Sequence, residues 1–464
     1  MTIQRLSALD AQFLYLERPE VHMHVAGIAI LDPSTRPDGR LSIEHIVELI
    51  RARIHLVPRF RQKIVSPPLG VGRPVWVDDP NFDLSFHIRH AALPAPGGPK
   101  ELAAQVQRVH SRPLDRSKPL WEMYFIEGLE DGHVAVLTKS HHAMIDGMSG
   151  MDIATVLFDF TPEPREVAEQ PYEPQPEPSS RDLFIQSVAE QVAHPVRSAI
   201  ETIGSALRAP QAAAETVQRT LGGFAALFAR GQAPASPFNV KVGPNRRFAM
   251  AEVPVTDAKL IKNELGGKVN DVVLAAVAGA LDRLLGGRGI DTRGLTLRTM
   301  VPVSTRDAAP QTQLGNKISS LFVDLPIGVE DPVERLRQIV AATKDVKRSH
   351  QAVAAGMLMN LGQWAPPTIH GMAARAVARQ RFINLVVSNV PGPQVPLYLA
   401  GAKMLVTYPV MPLGETVGLS VAVTSLSGVM GFGFTADWDA VPDIDELPKG
   451  LLASIAELKK AASG

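Results

Sequence analysis

Among the residues of this chain that could do acid–base chemistry, one heptad stands out: His141-His142-Ala143-Met144-Ile145-Asp146-Gly147. An imidazole titrates near ~6.5, so it is a natural base for taking a proton from a hydroxyl at neutral pH. His142 is the expected base, and the chemistry indicated is acyl transfer to a hydroxyl. His141 and Asp146 complete the candidate catalytic set, each with a structural alternative. His141 can be a packed, hydrogen-bonded ring that only orients its neighbour. Asp146 can cap the helix that follows, with Gly147 permitting a positive φ. His142 and Asp146 could also share a metal, but no third ligand is spaced nearby and the chain has no cysteine.

The elements that must position these residues are legible on both sides. Val134-Ala135-Val136-Leu137-Thr138-Lys139-Ser140 alternates and reads as a half-buried strand, and Ser149 to Phe158 reads as a short helix. The histidines therefore fall on a tight strand-to-helix turn, where a side chain can face a ligand.

At 464 residues the chain predicts two large domains, and its 45% apolar content supplies their cores. Basic and acidic residues balance at 47 each, which leaves no global electrostatic case for nucleic acid. The absence of cysteine removes disulfides, a thiolate nucleophile and cysteine-ligated zinc, and fits a cytoplasmic protein. The N-terminus shows no secretory pattern, and no apolar run approaches the roughly 18 residues of a spanning helix.

Three regions follow from composition. Residues 1–160 mix strands and helices, with Val25 to Leu31 reading as a strand and Ile43 to Ile54 as an amphipathic helix. Residues 161–244 open with a run of alternating proline and glutamate from Pro162 to Ser180, which favours an extended linker. Helical sequence follows from Arg181 to Arg230. Its apolar stripe starts at Phe184 and Val188, opposite Arg197, Arg208, Arg219 and Arg230, either an ordinary exposed face or one suited to anionic headgroups. Residues 245–464 return to mixed elements. Strands are expected at Thr296–Val303, Ile318–Leu325, Leu385–Ser388 and Leu419–Thr424, and helices at Asp271–Leu285, Val333–Arg348 and Leu447–Ala462. The fold class is α/β.

The His-His-x-x-x-Asp-Gly heptad resembles the signature of the CoA-dependent acyltransferase superfamily. Further segments resemble its bacterial wax ester synthase/diacylglycerol acyltransferase branch. These are Leu6-Ser7-Ala8-Leu9-Asp10, Pro119-Leu120-Trp121-Glu122, Gly243-Pro244-Asn245-Arg246-Arg247-Phe248, Val269-Asn270-Asp271-Val272, Val301-Pro302-Val303-Ser304 and Ser388-Asn389-Val390-Pro391-Gly392-Pro393. Together they span nearly the whole chain.

The resemblance implies two chloramphenicol-acetyltransferase-like lobes, each a mixed sheet with helices, and an active-site tunnel between them. It implies acyl-CoA as co-substrate, no resident cofactor or metal, and diacylglycerol or a long-chain fatty alcohol as acceptor. A peripheral site at the inner membrane face or on lipid droplets would follow. It makes Gly147, Asn270, Ser388 and Asn389 candidates for substrate contact, and Arg306 the expected partner of Asp146. The residues themselves leave simpler roles open: Asn270 is a good N-cap with Asp271 in the first turn, Asn389 to Pro393 is turn chemistry, and Trp121 suits a core. Two other functions compete, a transferase fed by a carrier-protein thioester and a non-catalytic neutral-lipid-binding protein.

Overall fold

The computed structural model describes residues 4–145, 156–190, 231–304, 318–348, 371–372, 375 and 378–464. In the N-terminal half the strands are β1 (Gln4–Arg5), β2 (His24–Asp32), β3 (Gln62–Val65), β4 (Val75–Asp78), β5 (Ile88–Ala92), β6 (Trp121–Glu127) and β7 (Val134–His141). The C-terminal half supplies β8 (Arg246–Pro254), β9 (Thr296–Ser304), β10 (Ile318–Pro326), β11 (Leu385–Val390), β12 (Tyr398–Leu399), β13 (Ala402–Val410), β14 (Leu419–Leu426) and β15 (Val429–Asp437). The longer helices are α1 (Ala8–Leu16), α2 (Ile43–Arg53), α3 (Pro99–His110), α4 (Val255–Leu265), α5 (Val269–Gly287), α6 (Pro332–Arg348) and α7 (Glu446–Ser463).

Two mixed six-stranded sheets carry the molecule. One runs β12-β13-β2-β7-β6-β5 and the other β10-β9-β11-β14-β15-β8, while β1-β4-β3 form a small separate sheet. The α/β class with two mixed sheets is as expected. The exchange between halves is not: β12 and β13 leave the C-terminal half to pair against β2, so the first sheet draws on both ends of the sequence.

β7 is buried on both faces and not half-buried, because each face of its sheet is covered. Val134 and Val136 pack into a core shared with α1 and α2. Ala135 and Leu137 pack into another, shared with α3, Phe248 of β8 and Val406, Tyr408 and Val410 of β13. The strand that delivers the histidines is thus held in the middle of the molecule.

The two sheets meet at β13 and β15, where glycine is required sterically. A Cβ on Gly431 would lie 2.1 Å from the Thr407 carbonyl oxygen, and one on Gly433 would lie 1.9 Å from that of Pro409. Gly433→Val should therefore cost at least about 1–3 kcal/mol through overpacking against backbone. Gly27→Ala is a fair comparison, because its added carbon meets only Thr138 Oγ1 at 3.8 Å. Thermal melts in which the two variants lose equal stability would contradict this account of the joint.

Arg246 clasps the lobes together from the Gly243 to Phe248 segment. It is 2% exposed; one guanidinium nitrogen donates to the Glu20 carbonyl at 2.6 Å and its N–H donates to Ser111 Oγ at 2.9 Å. The proline–glutamate run has no regular structure across 164–179, as its composition predicts. It lies along the small sheet, where Tyr172 Oη donates to the carbonyls of Arg61 (3.1 Å) and Asp79 (3.0 Å). Residues 180–190 are helical, but Leu183 and Ser187 form the buried side and Val188 is exposed. The expected stripe therefore does not face inward there, because the small sheet takes Leu183 against Val75 and Val77. The rest of that stripe and its arginines lie outside the described residues.

Candidate active site

His141 ends β7, and His142 opens a single helical turn, His142–Ile145. Backbone bonds fix both ends of this step. The His141 N–H donates to the Leu120 carbonyl at 2.9 Å, and the His142 N–H donates to the Met23 carbonyl at 2.8 Å. The Pro119 to Glu122 segment thus supports the histidines by backbone. Trp121 itself is core, stacked on His87 at 4.5 Å and donating Nε1–H to the Phe60 carbonyl at 2.9 Å.

His142 is partly exposed, and its ring stacks on Phe13 of α1 with centroids 3.8 Å apart. Its Nδ1 is buried without a hydrogen-bond partner among the described residues. Burial pushes the ring down to about 4, helped by the neighbouring His141 and opposed only by its own backbone. His142 is therefore neutral at physiological pH, the state a base must occupy.

His141 is fully buried, with Nδ1 accepting the Ala143 N–H at 3.1 Å. Its Nε2 lies 3.6 Å from Glu17 Oε2, and His24 Nε2 lies 3.1 Å from Glu17 Oε1. Both are ion-pair contacts and neither is a full hydrogen bond, the His141 contact being too long for one. Arg116 Nε reaches the same Glu17 oxygen at 2.9 Å. Burial alone would raise the Glu17 carboxyl, but His141, His24 and Arg116 together hold it well below the usual carboxylate range. Burial outweighs Glu17 at His24 and pushes that ring down to about 3. The arrangement is an ionised carboxylate between the His141 and His24 rings, with the His24 ring neutral.

Lys139, two residues before His141, is also fully buried. Its ammonium donates to the Val109 carbonyl at 3.0 Å and to that of Arg112, satisfying carbonyls at the end of α3. Burial lowers it to about 8, against the pull of Glu122.

Asp146, Gly147 and Arg306 lie outside the described residues. Asn270 is in the first turn of α5 and not its cap: Lys268 takes the cap position, and Asp271 accepts the Lys268 N–H at 2.8 Å and the Thr343 hydroxyl at 3.0 Å. Glycines 266 and 267 set this start by turning the chain at positive φ just before it. Ser388 lies in β11 as expected, and Asn389 belongs to the same strand and not to a turn, since the two pair with Ala422 and Val423 of β14. Both are partly exposed at the carboxyl end of that strand, and β9 runs parallel beside it. No hydrogen bond joins Asn270, Ser388 or Asn389 to His142 among the described residues. Within those residues, too, no three His, Asp or Glu side chains are grouped to hold a metal, and no helix is long and apolar enough to cross a membrane.

Phe13, Glu17, His24 and Arg116 are absent from the sequence-based set. The available signal was the i, i+4 spacing of Phe13 and Glu17 beside the His22-Met23-His24 triplet.

The fold is that of two-lobed acyl-transferring domains. It superposes on the starter condensation domain of rhizomide synthetase, solved with C8-CoA and Leu-SNAC, with a TM-score of 0.58 at 15% identity over 100% of this chain and 95% of that one. The wax ester synthase/diacylglycerol acyltransferase of Marinobacter aquaeolei VT8 is nearer, with a TM-score of 0.72 and 27% identity over 99% of this chain and all of that one. Residues 6–273 match the wax ester synthase/diacylglycerol acyltransferase catalytic domain, and residues 314–459 match the WS/DGAT C-terminal domain. Two Mycobacterium tuberculosis proteins named as diacylglycerol O-acyltransferases align at 34% identity (98% of this chain, 90% of theirs) and 33% (99% and 98%). The chain belongs to the wax ester synthase/diacylglycerol acyltransferase family.

Proposed function

We propose that the protein is an acyl-CoA-dependent O-acyltransferase that esterifies diacylglycerol, a long-chain fatty alcohol, or both. The observation that carries this is the neutral, partly exposed His142 ring, clamped between backbone anchors at the end of β7 and the face of Phe13. His142 takes the hydroxyl proton as the alcohol oxygen attacks the thioester carbonyl, and returns it to the departing thiol as the carbon–sulfur bond breaks. No acyl-enzyme is required. With Nδ1 buried, Nε2 is the nitrogen that meets the hydroxyl.

In this reading the acceptor and donor meet His142 in a tunnel between the lobes. Gly147, Asn270, Ser388 and Asn389 contact substrate, and Arg306 pairs with Asp146 to hold the heptad turn. The acceptor is a water-insoluble alcohol, so the enzyme works peripherally, at the inner membrane face or on lipid droplets.

The test is turnover by purified protein with palmitoyl-CoA, offered diacylglycerol and hexadecanol separately. Release of free CoA with triacylglycerol or wax ester formation is the expected result, and the ratio ranks the acceptors. Turnover only with a carrier-protein thioester would replace the donor. Lipid binding with no turnover from any thioester would replace catalysis with a binding role.

A further inference from the structure

We infer that Glu17 is a positioning residue that fixes the tautomer of His141 and, through it, the helical turn that carries His142. The inference rests on His142 as the base and adds the device that holds it.

It starts from hydrogen-bond bookkeeping. His141 Nδ1 accepts the Ala143 N–H, so it carries no proton, and the ring's proton sits on Nε2. That Nε2–H is buried and faces Glu17 Oε2. His24 presents its own Nε2 to the other oxygen, Glu17 Oε1. An ionised carboxylate is acceptor-only and has two oxygens, so it can face both rings at once. If the acceptor beside His141 were lost, the Ala143 N–H alone would hold the proton on Nε2, and that buried Nε2–H would face no acceptor. With the proton on Nδ1, a ring N–H would oppose the Ala143 N–H, and the bond that starts the His142–Ile145 turn would be broken.

The same helix grips the second histidine. Phe13 and Glu17 lie four residues apart at the end of α1, so they share a face, and the Glu17 N–H closes the helix on the Phe13 carbonyl at 3.2 Å. One residue stacks on His142 and the other faces His141. Arg116 braces this end of α1 by donating to the Leu14 carbonyl at 3.2 Å and to Glu17. The carboxylate is held ionised by these neighbours, so it keeps its acceptor character across the working pH range.

The experiment compares wild type, Glu17→Gln, Glu17→Ala and His142→Ala for kcat, KM for palmitoyl-CoA and thermal stability. Nitrogen NMR of ¹⁵N-histidine-labelled protein reads the His141 tautomer. Glutamine keeps one acceptor oxygen for His141 and can turn its amide toward His24, so Glu17→Gln should retain kcat within about tenfold and keep the Nε2–H signature. Glu17→Ala should lose about a hundredfold in kcat, the scale of a misplaced catalytic group, with KM within about twofold and the single His141 tautomer lost. Folded Glu17→Ala with wild-type kcat, or an unchanged His141 signal in it, would overturn the inference. So would Glu17→Gln that stays active with the opposite tautomer, and this reading stands even where the alanine variant does not fold. Wild-type activity in His142→Ala would instead remove the base on which the inference rests.

Discussion

Replacement of His142 by alanine should lower kcat by about 10²–10⁴ while leaving the fold intact, because the role proposed for this partly exposed ring is that of a general base. The loss should fall on kcat for both acceptors, since one base serves any hydroxyl. The pH profile carries a sharper form of this prediction. A histidine at its ordinary value would be half protonated near ~6.5, so the rate would fall through that range. Burial holds His142 near about 4, which leaves it neutral well below neutral pH. The acid limb of kcat/KM should thus be flat from pH 8 to about 5. Stability follows the opposite course. A ring that is neutral in the fold but takes a proton on unfolding contributes stability that is full above its unfolded value and is lost as pH falls from about 6.5 toward 4. Rate and stability should accordingly separate in that window, with melting temperature dropping while initial rates hold. A kcat/KM that halves near 6.5 in protein shown to be folded would mean that His142 is not buried as described, or is not the base.

Arg53→Ala should be the most destabilising single change in the N-terminal lobe. Arg53 and Asp159 are each 1% exposed, joined at 2.8 and 3.0 Å. Arg53 also donates to the carbonyls of Leu157 (3.3 Å) and Arg165 (3.1 Å). Removal of the cation leaves a buried carboxylate with Arg165 as its remaining ion-pair partner, which costs about 3–5 kcal/mol. Asp159 also forms a β-bridge with Tyr398, so this pair ties α2, the segment returning from the heptad and the strand pair from the C-terminal half to one point. Urea titration should show the loss as a lower midpoint, and kcat should fall as well because the far end of the heptad segment is released. Replacement of both charges by apolar residues, Arg53→Met with Asp159→Leu, should recover much of the stability, since the penalty lies in the unpaired charge. A loss under about 1 kcal/mol for Arg53→Ala would show that water reaches Asp159.

Local pattern carried a large share of this protein. The heptad and its flanks placed the two histidines on a strand-to-helix step, and periodicity located β9, β10, β14 and helices α5 to α7 to within a few residues. These succeed because alternation and 3.6-residue spacing are imposed locally by which side of an element meets a core. The ordered motifs extended this to a family, and so to a fold of two lobes.

What the pattern could not report are choices made by distant partners. Asn389 reads as the start of a turn because proline and glycine follow it, yet pairing with β14 extends the strand expected to end at Ser388 through Asn389 to Val390. Asn270 has the chemistry of a cap, but the turn through Gly266 and Gly267 starts the helix earlier and hands that role to the Lys268 backbone and Asp271. The entry of β13 into the first sheet depends on a register with β2, more than 370 residues away, and on glycines that let β15 approach. Glu17 is one acidic residue among 47 in the sequence. Burial between His24 and His141 makes it the carboxylate that faces both rings, because desolvation and polar partners are properties of tertiary packing, and no spacing along the chain encodes them.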